Sequence, residues 1–323
     1  MEPDKLEQRL QEVTELVTAA QRAGDKEMEL EGQRLRFIDL LELGKIAEAR
    51  NVRKQAVLLI EELRRPLYFW YPPMWNSMFA LFEGSFGKAE VAIEHFRKEG
   101  ERWNYKDVKL VYGVQLFRLN MDRGSPELAK EVIEELAHHN AQRWVSALCS
   151  VYSELDLRNE ARSQFDFFAP DFSAVPRDLS WAHIICLFSE ACAFLHDREA
   201  AAALYELLFP WADHNIVIGS GALSIGSASH FLGLLAKTMN DNIVAVGHFR
   251  DAVRMNDRMG ALPAAIRSRL ELACILCEEG EKQGDLLHEV LGMARTIGMK
   301  KIAQKAEELI SLYRTDISHV KRR

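Results

Sequence analysis

Few groups of residues in this chain have the spacing that chemistry requires. Gly84-Ser85-Phe86-Gly87-Lys88 ends like a phosphate-cradling loop. Such a loop needs four residues between its first glycine and the Gly-Lys pair, and a hydroxyl after the lysine to reach magnesium. Here two residues intervene and Ala89 follows, so the group reads as a turn. Gly219-Ser220-Gly221, with Gly226 behind it, has the composition of a dinucleotide loop, but no strand of useful length precedes it. Gly221, Ser224, Gly226, Ser227 and Gly233 read instead as small residues at close helix packing. Ile216-Val217-Ile218 is the one stretch with β character, and its three residues read as a linker.

Cys274 and Cys277 have redox-motif spacing, yet they sit inside an apolar helical run with no second pair to complete a zinc site. His138 and His139 are adjacent, so on a helix they diverge by about 100° and do not face one ligand. No HExxH, nucleophile elbow or carboxylate pair in a glycine-rich setting occurs. The expectation is a protein that is not an enzyme, with no catalytic residue, no metal site and no cofactor. The five cysteines, Cys149, Cys186, Cys192, Cys274 and Cys277, all lie in apolar helical runs. They fit thiols used as small hydrophobes in a reducing compartment.

What positions the side chains is a repeat. Residues 4–23 carry Leu6, Leu10, Val13, Leu16 and Val17 at three- and four-residue steps, with Gly24 as a stop. Residues 26–43 give a second helix through Leu30, Leu35, Ile38 and Leu41, and a turn at Gly44 leads into a third that ends before Pro66. The turn-plus-alanine phrase occurs at Ala49, Ala89 and Ala129, 40 residues apart each time, then at Ala161, Ala201 and Ala245 after 32, 40 and 44. Gly280 reads as a last, degraded copy. A small residue there lets two antiparallel helices approach closely as they leave a tight turn. Periods of about 34–47 residues belong to helical-hairpin solenoids, and the turn-plus-alanine pattern favours the tetratricopeptide (TPR) type.

The expected fold is therefore all-α: a right-handed α-α superhelix, a TPR-like solenoid of about six to seven helical hairpins, forming one domain over 1–323. An N-terminal helix (1–24) precedes the hairpins (25–298), and a closing helix and tail (299–323) follow. Breaks fall at 64–75, 167–178 and 209–221; in the second, Asp178 is placed to cap a helix beginning near Leu179. That helix should turn Trp181, Ile184, Ile185, Phe188 and Leu195 inward.

The 41 Lys and Arg against 48 Asp and Glu leave a net charge of −7 with both signs interspersed, which implies no polyanion-binding field. The basic ending, His319 to Arg323, is too short to argue for nucleic acid. No apolar run reaches the roughly 18 residues of a membrane span, and the charged N-terminus has no signal-peptide core. The expectation is a cytoplasmic protein that binds neither membrane nor nucleic acid.

A superhelix works through its surfaces. The cluster Tyr68, Phe69, Trp70, Tyr71, Met74 and Trp75 reads as hairpin-to-hairpin core, or as anchors partly exposed on the inner surface. With each alanine at the twentieth position of a TPR unit, Arg34, Met74, Met78, Arg118, His183, Glu190, Ser227 and His230 project into the concave groove as candidate partner-binding residues.

From about Arg158 to Ala265 the sequence resembles the TPR-rich C-terminal region of large bacterial signal-transducing ATPase regulators, linked to adenylate or guanylate cyclase domains or to LuxR-type DNA-binding domains. The resemblance is carried by Val175-Pro176-Arg177-Asp178 with Trp181, Ala201 to Leu208 with Pro210, Gly219 with Gly226-Ser227, and Leu232 to Ala236. His248-Phe249 with Ala252 and Met259-Gly260-Ala261 continue it. His196 replaces the usual turn glycine and Met239-Asn240 a Leu-Gly. The resemblance implies a sensor or scaffold module that binds a protein or peptide partner, or alternatively a small-molecule effector in the groove. The chain is either a stand-alone repeat protein or part of a longer regulator.

Overall fold

A computed structural model describes residues 3–138, 141–169, 171–279 and 284–320. His139, Pro170 of the second break, the Gly280 copy and Lys321 to Arg323 lie outside the described residues. The helices are α1 (Leu6–Ala23), α2 (Lys26–Glu42), α3 (Ile46–Leu63), α4 (Tyr71–Phe82), α5 (Phe86–Arg102), α6 (Val108–Arg123), α7 (Pro126–Ala137) and α8 (Ala141–Glu154). They continue as α9 (Arg158–Phe165), α10 (Trp181–Leu195) and α11 (Arg198–Leu208). After two short strands, β1 (Asn215–Ile218) and β2 (Leu223–Ser227), come α12 (Ala228–Thr238), α13 (Asn242–Met259), α14 (Leu262–Glu278), α15 (Gly284–Ile297) and α16 (Lys300–Val320). The all-α expectation holds apart from this one hairpin.

Six turns share one geometry. A residue of positive φ stands five positions before each repeat alanine: Gly44, Gly84, Gly124, Asp156, His196 and Asn240, with φ between 56° and 73°. The next residue's N–H then reaches back to a carbonyl of the finished helix, as in Lys45 N to Leu40 O at 2.8 Å, Ser125 N to Asn120 O at 2.9 Å and Asp241 N to Ala236 O at 2.9 Å. This left-handed closure satisfies carbonyls that the helix end would otherwise orphan. Ala49, Ala89, Ala129, Ala161, Ala201 and Ala245 are all 0% exposed, because the second helix starts where any larger side chain would meet the first. His196 and Asn240 therefore preserve the turn. The same closure recurs at Gly260, five residues before the buried Ala265.

Sequence-adjacent helices pack on one another, and first helices also touch first helices of neighbouring pairs: α4 on α6, α8 on α10, α10 on α12. Leu16 and Leu35, expected on apolar faces, are exposed at 36% and 39%, whereas Leu6, Val13, Val17, Leu30, Ile38 and Leu41 are buried. Cys274 and Cys277 are buried in α14.

Two expectations are corrected. Ile216-Val217-Ile218 is a strand, not a linker: β1 pairs antiparallel with β2 in the register Asn215 to Ser227 and Ile218 to Leu223, with an irregularity between Ile216 and Val217. Every residue of both strands is buried, so the sequence lacks the polar–apolar alternation of a half-exposed strand. Gly219 and Gly221 supply positive φ in its turn, and a Cβ on Gly221 would lie 2.7 Å from the Phe37 ring. Of the small residues expected at helix packing, Gly233 does lie in a helix, where a Cβ would meet Phe249 at 2.6 Å. The second correction is at Asp178: its carboxylate accepts from Ser180 N at 2.8 Å, and the helix starts only at Trp181.

The C-terminal part folds back onto the N-terminal turns. Gly44 faces Met259 and Met255, Gly84 faces Ile297 and Pro263, and Gly124 faces Lys301. A Cβ on Gly124 would lie 2.8 Å from the Lys301 backbone nitrogen. Gly124→Ala is expected to cost at least about 2 kcal/mol, from left-handed strain plus that clash. His196→Gly is expected to stabilise by about 1 kcal/mol by relieving the strain of a non-glycine residue at positive φ. Urea unfolding with unchanged m-values checks both.

Candidate functional site at the buried inner surface

The first helices of the pairs turn their inner faces onto the β-hairpin and hold it through its backbone. Trp75 Nε1 on α4 donates to Ser220 O at 2.9 Å, and Gln115 Nε2 on α6 donates to Ala222 O at 2.7 Å. Asn215 Nδ2 on β1 donates to Leu41 O of α2 at 2.8 Å, and Ser227 N donates to Asn256 Oδ1 of α13 at 2.9 Å. Buried backbone groups must find partners, and here the polar side chains of the inner surface supply them. The space between these helices is thus occupied by the chain's own hairpin.

Behind the hairpin lies a buried charge cluster. Arg118 donates to Asp122 Oδ1 at 2.6 Å, and Arg267 of α14 hydrogen-bonds the same carboxylate oxygen. Glu190 of α10 accepts from Ser150 Oγ of α8 at 2.8 Å and is within electrostatic reach of both guanidiniums. Two guanidiniums against two carboxylates leave the cluster neutral, as a low-dielectric site demands. Burial raises the Glu190 carboxyl above its ordinary value, partly offset by Arg118 and Arg267. The adjoining cavity, lined by Arg118, Asp122, Ser224 and Arg267, admits about one water. Arg118 Nε and His183 Nε2 are buried without a partner among the described residues.

The eight groove candidates separate into five environments. Arg118, His183 and Glu190 come together in or beside the charge cluster. His230 sits 3.2 Å from Ser268 Oγ, with Arg267 near in charge. Arg34 lies at the hairpin tip, donating to Ser220 Oγ at 3.1 Å and to Glu31. Met74 and Met78 are core, and Ser227 caps α12 by accepting from Ser229 N. Of the aromatic cluster, Tyr68, Met74 and Trp75 are buried, with Phe69, Trp70 and Tyr71 partly so. His138 is exposed at the end of α7.

Sequence reasoning missed Asp122, Gln115, Asn215, Asn256 and Arg267. Asp122 stands four residues after Arg118, a helical ion-pair spacing that was available as a signal. Arg267 is brought in only by the fold-back of α14. Among the described residues no group of His, Cys, Asp and Glu is arranged to hold a metal ion, and no helix is long and apolar enough to cross a membrane.

Burial holds His183 and His230 at about 3, with Arg118 adding to the shift at His183 and Arg267 at His230. Both histidines are neutral in the folded protein, while unfolded histidine takes a proton near 6.5. Stability is therefore fully present above about pH 6.5. It falls toward pH 3 by up to about 1.4 kcal/mol per pH unit for each histidine. The raised Glu190 carboxyl acts with the opposite sign, since the folded state takes up its proton first. Denaturant titrations across this window should show the loss, and His183→Asn should flatten it. Asp122→Asn leaves two buried guanidiniums without their bonded carboxylate. It should cost about 3–5 kcal/mol, read by the urea midpoint.

Compared with models of protein families and with curated proteins, the chain finds no match in either.

Proposed function

We propose that the chain is a TPR-like solenoid, a right-handed superhelix of six to seven hairpins, acting without catalysis as a partner-binding or regulatory module. What carries this is the six-fold recurrence of one turn, a left-handed residue five positions before a fully buried alanine. Packing of first helices on neighbouring first helices is what stacked hairpins of this type require. The resemblance to the TPR regions of bacterial signal-transducing ATPase regulators adds a context: a cytoplasmic sensor or scaffold attached to, or acting on, a signalling output.

With the inner surface filled, a protein partner meets the outer helices. Val91 of α5, Leu128 of α7 and Ile243 of α13 are 72%, 51% and 88% exposed. A small-effector role is the second reading, favoured by a separate cleft at the start of α10.

Cross-linking in cells followed by binding of the purified partner tests the proposal. Saturable binding that is lost in a Val91→Asp, Ile243→Asp double variant of unchanged stability is the expected result. Hydrolysis of a nucleotide by the purified chain, abolished by Glu190→Gln with the fold intact, would overturn it.

A further inference from the structure

One cleft away from the inner surface is lined by buried polar groups that have no hydrogen-bond partner among the described residues. It opens to solvent and lies between Leu6 and Arg9 of α1, Glu42 of α2, the first residues of α10 and the segment from Trp211 to Val217. Trp181 lines it and is 3% exposed, yet its indole N–H has no acceptor among the described residues. The comparably buried indole of Trp75 has found one at 2.9 Å. A buried donor left unpaired costs about 1–3 kcal/mol, so a native structure that keeps one invites a ligand. The lining residue His214 also has a buried ring nitrogen, Nδ1, with no partner among the described residues; burial lowers its affinity for a proton.

The backbone adds to this. Trp181 opens α10, a helix of 15 residues whose N-cap, Ser180, makes no side-chain capping bond. The amide of Ala182, which also lines the cleft, has no acceptor among the described residues, and the start of a helix carries partial positive charge.

The charges of the cleft are not equivalent. Arg9 is committed to Asp39 and Glu42, both at 2.6 Å, and the Asp178 carboxylate accepts from the Ser180 amide. Arg177 is exposed, has no ion pair among the described residues, and stands 3.9 Å from the centre of the Trp181 ring. Trp211 packs on Trp181 with ring centres 4.8 Å apart, giving the cleft an aromatic wall.

We propose that this cleft binds a small organic carboxylate. The oxyanion takes the Trp181 indole N–H and the Ala182 amide, Arg177 pairs with its charge, and its carbon skeleton lies against Trp181 and Trp211. The site does not depend on a protein partner and stands whether or not the outer helices bind one.

The indole N–H of Trp181 is its own reporter. In nitrogen–proton correlation spectra of the full chain its cross-peak is assigned by Trp181→Phe, or through its contact with the Trp211 ring if that variant does not fold. Acetate, benzoate and inorganic phosphate are titrated separately, with ionic strength held by chloride. The expected result is a saturable downfield shift with both carboxylates, tighter for benzoate, and affinity about tenfold weaker in Arg177→Gln, as loss of one charged hydrogen bond implies. A peak unmoved by the carboxylates overturns the proposal, as does a response to phosphate alone. A shift without saturation that Arg177→Gln leaves unchanged overturns it as well.

Discussion

The structure depends on how closely two helices can approach as the chain reverses between them. At each of six reversals a residue goes left-handed, the closing amide returns to the finished helix, and the alanine five positions on is buried completely. The left-handed residue sets the direction of exit and the alanine sets the distance. Because both constraints are local, the same geometry is repeated with different neighbours. Glycine meets the backbone requirement without strain, yet Asp156, His196 and Asn240 meet it too, because packing of the helix pair outweighs the roughly 1–2 kcal/mol such a conformation costs.

Helix pairs built this way present their first helices to one another and to whatever fills the inner side. Here the filling is the chain itself. A hairpin of nine strand residues, buried throughout, brings backbone N–H and carbonyl groups into a place without water. Gln115, Trp75, Asn215 and Asn256 exist in their observed roles because those groups must be paired. The fold-back of α14 then adds Arg267 to Arg118, and the two share Asp122. Such a cluster is retained at a desolvation cost, so it fixes how the two parts meet more than it strengthens their union.

A filled inner side redirects the functional question. The polar side chains that face inward are spent on the backbone of the hairpin. At the start of α10 the buried Trp181 indole N–H has no acceptor among the described residues. Two of the charges beside the unpaired indole of Trp181 are already engaged: Asp178 serves Ser180, and Arg9 is taken by two carboxylates.

Local requirements were legible in the sequence, and non-local ones were not. The alanine period, the helices of the first three turns and the thiols of α14 follow from residue spacing, since helix formation and turn closure involve residues within about five positions. The inner-surface register placed Arg118, His183 and Glu190 near one another, because a shared helical phase repeats with the turns. The strand at 215–218 escaped detection because burial on both faces removed its alternation, and the glycines around it had the composition of a packing stripe. Arg267 and the Trp181 cleft were beyond reach for another reason. Each is made by segments more than a hundred residues apart, Arg267 with Asp122 and Arg9 with Trp181. Only the fold-back of the chain, a balance of packing over the whole molecule, decides that they meet.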